Sequence, residues 1–351
     1  MRSKDIRDLP QVKPAILQER LGKGKARCLT CERRCILGDG EYGFCRTRIN
    51  IEGQIYTMTY GLLSAVESRP IEIKPFFHFW PGSTALTFST WSCNFRCPWC
   101  QNWGISRILP EPWKGTYTGP EEVVGKALEN HDEGVCVSFN EPTLLFEYSL
   151  DVFKIARKKG LYSTYVSNGY MTLDALKMLK EAGLNGLKVD IKGSKKEYLK
   201  INAADVDVVW RNCRKAKELG IHVELVYLVV TGATDNEESI VETIEKTLKE
   251  LGDGVPIHFT RYFPAYKYRE PPTPIEKLEW AYKTARRMGV KYPYIGNVPG
   301  HPYENTYCPE CGEVLVKRYG AMVIKYRLTA DKKCPRCGEH IPIAGRPGRH
   351  I

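Results

Sequence analysis

From about residue 120 onward one unit recurs along the chain: an apolar, β-branched run, a polar turn, then an amphipathic stretch that closes on glycine. The runs are VCVSF (135–139), STYVS (163–167), LKVDI (187–191), VELVYLVV (223–230) and IHFTRYF (257–263). ALTFSTW (85–91) precedes them as a first strand, and YPYIGN (292–297) follows as a last one. The amphipathic stretches close at Gly134, Gly160, Gly183, Gly220, Gly252 and Gly289. Glycine is the expected stop there, because it enters the left-handed region without a Cβ clash. Strands alternating with helices predict a parallel α/β architecture. About six units, with no Gly-rich phosphate loop after the first strand, favour a partial TIM-type (β/α)6 barrel over a doubly wound sheet. Chemistry in such barrels sits at the C-terminal strand ends. Those ends carry cysteines, then FNEP (139–142), SNG (167–169), DIK (190–192) and RYFPAY (261–266).

The second constraint is thirteen cysteines. In a chain of this size without a secretory signature thiols stay reduced, so their spacing matters more than pairing. Cys28, Cys31, Cys35 and Cys45 form one group, Cys93, Cys97 and Cys100 a second, and Cys308, Cys311, Cys334 and Cys337 a third. Cys136 and Cys213 stand alone in apolar or helical contexts and read as small buried hydrophobes. Short-spaced clusters of soft thiolates point to metal. The third group is a pair of CPxCG knuckles, the pattern of a tetrahedral zinc ribbon, with rubredoxin-type iron as its rival. The second is C-x3-C-x2-C. Three thiolates on a four-iron cubane leave one iron open for a ligand; the alternative is a zinc knuckle with a distant fourth ligand.

The 351 residues suit one large domain with appendages, or two domains. Residues 1–27 read as a charged lead-in. Residues 28–83 form an N-terminal four-cysteine module with antiparallel strands in QIYTMTYG and RPIEIKPFFHFWPGS. Residues 84–300 form the partial barrel and 301–351 the C-terminal zinc ribbon. The +11 charge tolerates an anionic partner without demanding one. Basic clusters at 157–160, 192–196 and 214–220 fall mostly at helix C-termini, where they complement the dipole, although they could also dock RNA or protein. No apolar run approaches the roughly 20 residues of a membrane span, and MRSKDIRDLP lacks a signal-peptide core. The expectation is a soluble, cytoplasmic protein.

C-x3-C-x2-C with Trp99 before the third cysteine resembles the radical S-adenosylmethionine (SAM) superfamily. The resemblance spans nearly the whole chain and is nearest to pyruvate formate-lyase activating enzymes. Among these it is most similar to the radical SAM member of the AmmeMemoRadiSam system, on CNFRCPWCQNWGIS, HFTRYFPAY and YIGNVPGHPYENTYCPECG. It implies a 4Fe–4S cluster on Cys93, Cys97 and Cys100 whose open iron binds SAM. An electron from an external donor then cleaves the sulfonium, and the resulting 5′-deoxyadenosyl radical abstracts hydrogen from a substrate. In this oxidoreductase chemistry the protein supplies binding and orientation.

Carried over by motif, Asn140 and Glu141 of Asn-Glu-Pro take the place of the family's Gly-Gly-Glu, which receives the SAM amino group. Ser167 and Asn168 match the strand-end motif near the ribose and methionine carboxylate, and Trp99 packs near the adenine. Asp190 and Lys192 match the activase D-x-K; they could equally form a structural ion pair. Val166 stands where activases carry an Asp that helps bind a monovalent cation. Arg261 is the candidate for an anionic group. His258 is either a site residue or a core histidine, Tyr266 replaces an activase histidine, and Asn297 and His301 are candidates for the substrate side. Four thiolates at Cys28–Cys45 can close a zinc site or hold an auxiliary iron–sulfur cluster; activases that carry auxiliary clusters place them after the radical SAM cysteines, which points toward zinc. The resemblance implies a protein substrate or partner. RNA modification and a non-catalytic zinc/iron–sulfur scaffold are the alternatives.

Overall fold

The computed structural model describes residues 5–349 and 351. The chain divides into two compact units, Met1–Ser68 with Leu86–Asn185, and Arg69–Ala85 with Gly186–Ile351. Among the described residues no helix is long and apolar enough to cross a membrane.

In the first unit β1 (Thr84–Ser89), β2 (Gly134–Val137) and β3 (Tyr162–Ser167) are neighbours in chain order. β2 and β3 pair in parallel, from Tyr162 opposite Gly134 to Tyr165 opposite Val137. Every residue of β2 is buried, the signature of a parallel strand covered on both faces. The helix Phe146–Lys158 crosses from β2 to β3 with Glu147 in its first turn and Arg157 and Lys158 in its last, matching the helix dipole at both ends. After β3, Thr172 caps the helix Leu173–Ala182 by accepting from Ala175 N at 3.2 Å.

The N-terminal part of this unit is antiparallel. Gln18–Gly22, Lys25–Cys28 and Ile36–Leu37 form one three-stranded sheet, and Lys13–Pro14, Gln54–Thr57 and Arg48–Ile51 another. Arg48 ties this region to the helix Phe146–Lys158 through a buried bidentate pair with Glu147, at 2.6 and 2.7 Å. QIYTMTYG is a strand as expected, over Gln54–Thr57. RPIEIKPFFHFWPGS is not: it holds only the end of the strand Ala65–Pro70 and the 3-10 turn Ile71–Ile73. Prolines 70, 75 and 81 remove ladder donors, and Phe76, Phe77, His78 and Phe79 are all buried rather than alternating.

The second unit carries β4 (Gly186–Ile191), β5 (His222–Val229), β6 (Ile257–Arg261) and β7 (Pro293–Gly296), paired in parallel in chain order. Crossover helices Val206–Glu218, Glu237–Leu251 and Ile275–Met288 join them, the first two capped by Asp205 and Asn236 and the last two closed by Gly252 and Gly289. The expected α/β class with a parallel sheet is therefore what the chain adopts. Residues after 305 form an antiparallel sheet of Thr306–Tyr307, Val314–Tyr319 and Met322–Tyr326. Leu315, Val316, Ile341 and Ile343 pack with Phe77, Tyr292 and Tyr294 in one core.

That core contains a polar network. Glu224 accepts from Phe77 N (3.0 Å), His78 N (2.8 Å), His222 Nε2 (2.9 Å) and His258 Nε2 (2.8 Å). His258 is thus a buried core histidine, not a site residue, and it lies near the N-terminal strand ends, opposite to where barrels do chemistry. Burial alone would raise the Glu224 carboxyl, but the two imidazoles hold it far below its ordinary value. His78 bonds Tyr294 Oη at 2.7 Å, and burial pushes its pKa down to about 3.

The sign follows from linkage: as pH falls below 6.5 the unfolded histidine takes a proton that folded His78 refuses until about 3, so stability is lost across that window. His78→Gln is therefore expected to cost about 1 kcal/mol at neutral pH and to flatten the acid side of the profile. Thermal midpoints between pH 7 and pH 4 check this; an equally steep fall in variant and wild type would refute the assignment.

Candidate functional site

The loop leaving β1 carries Cys93, Cys97 and Cys100, and backbone carbonyls along it are held by side chains. Asn140 Nδ2 donates to Thr90 O (2.6 Å) and Ser92 O (2.8 Å). Arg107 donates to Phe95 O (2.8 Å) and Cys97 O (3.0 Å). Phe95 and Trp99 are buried, and Phe95 N donates to Cys93 Sγ at 3.4 Å. Burial pushes the Cys93 thiol up to about 12, with Glu141, Cys97 and Cys100 adding to the rise. A metal bound here would take its cysteines as thiolates outright.

Glu141 joins the exits of β2 and β3. Its fully buried carboxylate accepts from Thr143 N (3.1 Å), Thr143 Oγ1 (2.5 Å), Ser167 Oγ (2.8 Å) and Asn168 N (2.8 Å). Burial still leaves its pKa raised against these four donors. Asn168 Nδ2 in turn donates to Asn94 Oδ1 at 2.7 Å, linking the β3 exit to the cysteine loop. The structure therefore brings Cys93, Asn140, Glu141, Ser167 and Asn168 into one connected nest. Asn94 completes it; no motif marks this residue, and its place beside Cys93 is the one sequence signal for it. The donor set fits a cluster with SAM: three thiols stand together, and Asn140 Oδ1 is a buried acceptor with no hydrogen-bond partner.

In the second unit the remaining candidates are engaged locally. Asp190 is shared between Lys188 and Lys192, the latter at 3.4 Å. Burial would raise its carboxyl, and the two ammonium groups bring it below its ordinary value. Lys188 was not anticipated, and its presence makes the pair a triad within the unit. Arg261 Nε donates to Thr273 O at 2.8 Å, and its guanidinium lies 5.1 Å from the Phe263 ring centroid. Asn297 Nδ2 donates to Arg261 O (2.9 Å). His301 caps a short turn, with Nδ1 accepting from Tyr303 N (3.1 Å), and contacts Glu279 at 3.2 Å. Cys136 and Cys213 are fully buried.

The four C-terminal cysteines converge, their sulfurs all within 4.8 Å of one another. Cys308 and Cys337 are 3.5 Å apart, Cys311 and Cys334 3.6 Å. The two knuckles repeat one geometry: Gly312 N donates to Cys308 O (3.0 Å) and Gly338 N to Cys334 O (2.9 Å). Both glycines have positive φ, 74° and 80°, which explains the glycine after each C-x2-C.

Comparison with known proteins agrees with this site. The model of the radical SAM superfamily matches residues 89–247, spanning the cysteine loop, Glu141 and Ser167–Asn168. An uncharacterized protein of Methanocaldococcus jannaschii is 41% identical over 335 residues, covering 95% of this chain and 99% of that one. Pyruvate formate-lyase-activating enzyme of Streptococcus mutans is 24% identical over 240 residues, 63% of this chain and 81% of that protein. GTP 3′,8-cyclase of Aquifex aeolicus is 27% identical over 175 residues, 48% and 53% of the two chains. On this likeness, and on the cysteine loop held against the β2 and β3 exits, the chain belongs to the radical SAM superfamily.

Proposed function

We propose that the protein is a radical SAM oxidoreductase that acts on a protein, in the manner of an activase. The observation that carries the reading is the connected nest of Cys93, Asn94, Asn140, Glu141, Ser167 and Asn168, in which three thiols meet a buried carboxylate and a partnerless acceptor. Cys93, Cys97 and Cys100 would hold a 4Fe–4S cluster, which with bound SAM supplies a 5′-deoxyadenosyl radical for hydrogen abstraction. The chain's own contribution is positional. Glu141 locks two strand ends into one wall, Asn140 Oδ1 offers an acceptor to the SAM ammonium, and the buried Phe95 and Trp99 help exclude water from the loop.

The C-terminal site is proposed to hold one zinc ion. Thiolates around tetrahedral zinc, with Zn–S about 2.3 Å, stand about 3.8 Å apart, close to the spacings of 3.5 and 3.6 Å. Four ligands close the shell, so the role is structural. With no disulfide joining any of the thirteen cysteines, the thiols suit a reducing cytoplasm.

A protein substrate is favoured over RNA by the local pairing of the basic clusters. Lys215 pairs with Glu218 (3.0 Å), Lys195 with Asp207 (2.7 Å), and Arg157 donates to Glu181 O (2.9 Å).

The reading is tested by giving SAM and a strong one-electron reductant to anaerobically reconstituted protein. Release of 5′-deoxyadenosine is expected; none at full cluster content would favour a scaffold instead. Mass spectrometry of candidate proteins before and after turnover tests the substrate class, and salt-sensitive binding of RNA would redirect it.

A further inference from the structure

Cys28, Cys31, Cys35 and Cys45 lie outside the matched family region, yet the fold gathers them. Cys28 ends the strand Lys25–Cys28, and its N–H donates to Cys35 O at 2.9 Å, closing a loop that carries Cys31. Cys45 sits in the turn before the strand Arg48–Ile51, where Arg46 takes φ +62°. Cys45 lies within electrostatic reach of Cys28, Cys31 and Cys35.

Donors surround these sulfurs. Phe44 N donates to Cys35 Sγ (3.4 Å), and Thr47 Oγ1 lies 3.2 Å from Cys45 Sγ. Cys28 Sγ instead donates to Thr30 Oγ1 at 3.7 Å. Asn94 is fully buried, and its Nδ2 makes no hydrogen bond while the side chain sits close enough to Cys31 to favour that thiolate. The buried guanidinium of Arg48 acts on both Cys28 and Cys45. Positive charge and donors around thiols suit an anionic cluster, whose sulfurs accept hydrogen bonds.

Spacing then selects the occupant, and the chain carries its own standard. Among the described residues the sulfurs of Cys308, Cys311, Cys334 and Cys337 close to single-ion distances, whereas no three of Cys28, Cys31, Cys35 and Cys45 come within 4.8 Å of one another. The same openness holds for Cys93, Cys97 and Cys100. In a cubane each thiolate bonds a different iron, so its ligands stand farther apart than those around one zinc.

We propose that Cys28, Cys31, Cys35 and Cys45 bind a second 4Fe–4S cluster, seated against the Cys93–Cys100 loop. Three hydrogen bonds join the two segments: Ser92 Oγ to Cys45 O (2.6 Å), Arg96 Nη2 to Phe44 O (2.8 Å) and Arg33 Nε to Asn94 O (3.0 Å). With four protein ligands every iron is closed, so this cluster holds electrons and leaves SAM to the other. The spacing outweighs the sequence order that pointed to zinc.

The test is metal content after anaerobic reconstitution, with spectroscopy of the reduced protein. Wild type is expected to hold about eight irons per chain and the Cys93→Ala/Cys97→Ala/Cys100→Ala variant about four, retaining a 4Fe–4S electron paramagnetic signal. An iron-free triple variant carrying a second equivalent of zinc would overturn the proposal. Should the triple variant not fold, Cys31→Ala/Cys35→Ala/Cys45→Ala in the otherwise wild-type chain serves instead: iron falling to about four supports the second cluster, and iron unchanged at about eight refutes it. These readouts are independent of turnover, so failure to cleave SAM with about eight irons bound would count against the proposed function and leave the second cluster standing.

Discussion

Cys97→Ala is expected to reduce release of 5′-deoxyadenosine below detection while leaving the C-terminal metal in place. Cys97 is buried, and its carbonyl is held by Arg107 Nη2 at 3.0 Å, a backbone contact that alanine preserves. The loop therefore keeps its path and loses one of the three proposed cluster ligands. The C-terminal cysteines form a separate converged group, so their ion should be unaffected. Chromatographic assay of the nucleoside, with iron and zinc measured on the same sample, checks both halves. Loss of both metals together would mean the ligands are wrongly partitioned, and cleavage at the wild-type rate would remove Cys97 from the site.

Breaking the Arg48–Glu147 pair is expected to give a large loss of stability. The two side chains are 3% and 5% exposed and meet in a fork-to-fork contact at 2.6 and 2.7 Å, and Glu147 also accepts from Ile16 N at 3.2 Å. Arg48→Met leaves a carboxylate buried without its partner, a change that costs about 3–5 kcal/mol. In a unit of this size each kcal/mol lowers the melting midpoint by about 2–4 °C. The double variant Arg48→Met/Glu147→Leu should recover most of the loss, because it removes both charges and fills the space with apolar side chains. Calorimetry of the single and double variants decides: a single variant melting within a degree or two of wild type would show the pair to be inert.

Local signals were read well. The seven apolar runs correspond to β1–β7, and glycine closes the helices before Gly183, Gly252 and Gly289. The CPxCG knuckles fold as their spacing suggests. Reading failed where residues act at a distance. RPIEIKPFFHFWPGS looked strand-like by composition, but its aromatic residues fill a core made by other segments. His258 is compatible with a site role in the sequence, and only its bond to Glu224 across the strand pair makes it a core residue. Asp190 and Lys192 are legible as a pair, but Lys188, two residues earlier on β4, shares the carboxylate.

The sequence by itself determined the alternation of parallel strands and helices, the partition of the cysteines into three groups, and the chemistry of soft thiolates. These depend on residue spacing over a turn or two of chain, where geometry is nearly fixed by the backbone. Only the tertiary structure decided that Asn94 meets Asn168 across 74 residues and Arg48 meets Glu147 across 99. It alone set the width of each thiol group, on which the proposed distinction between one ion and a cluster rests. Identical C-x2-C spacing occurs in the N-terminal and C-terminal groups. The second pairs differ already in sequence, Cys35-x9-Cys45 against Cys334-x2-Cys337, but how closely each pair's sulfurs approach the first pair is a through-space relation that the spacing does not encode.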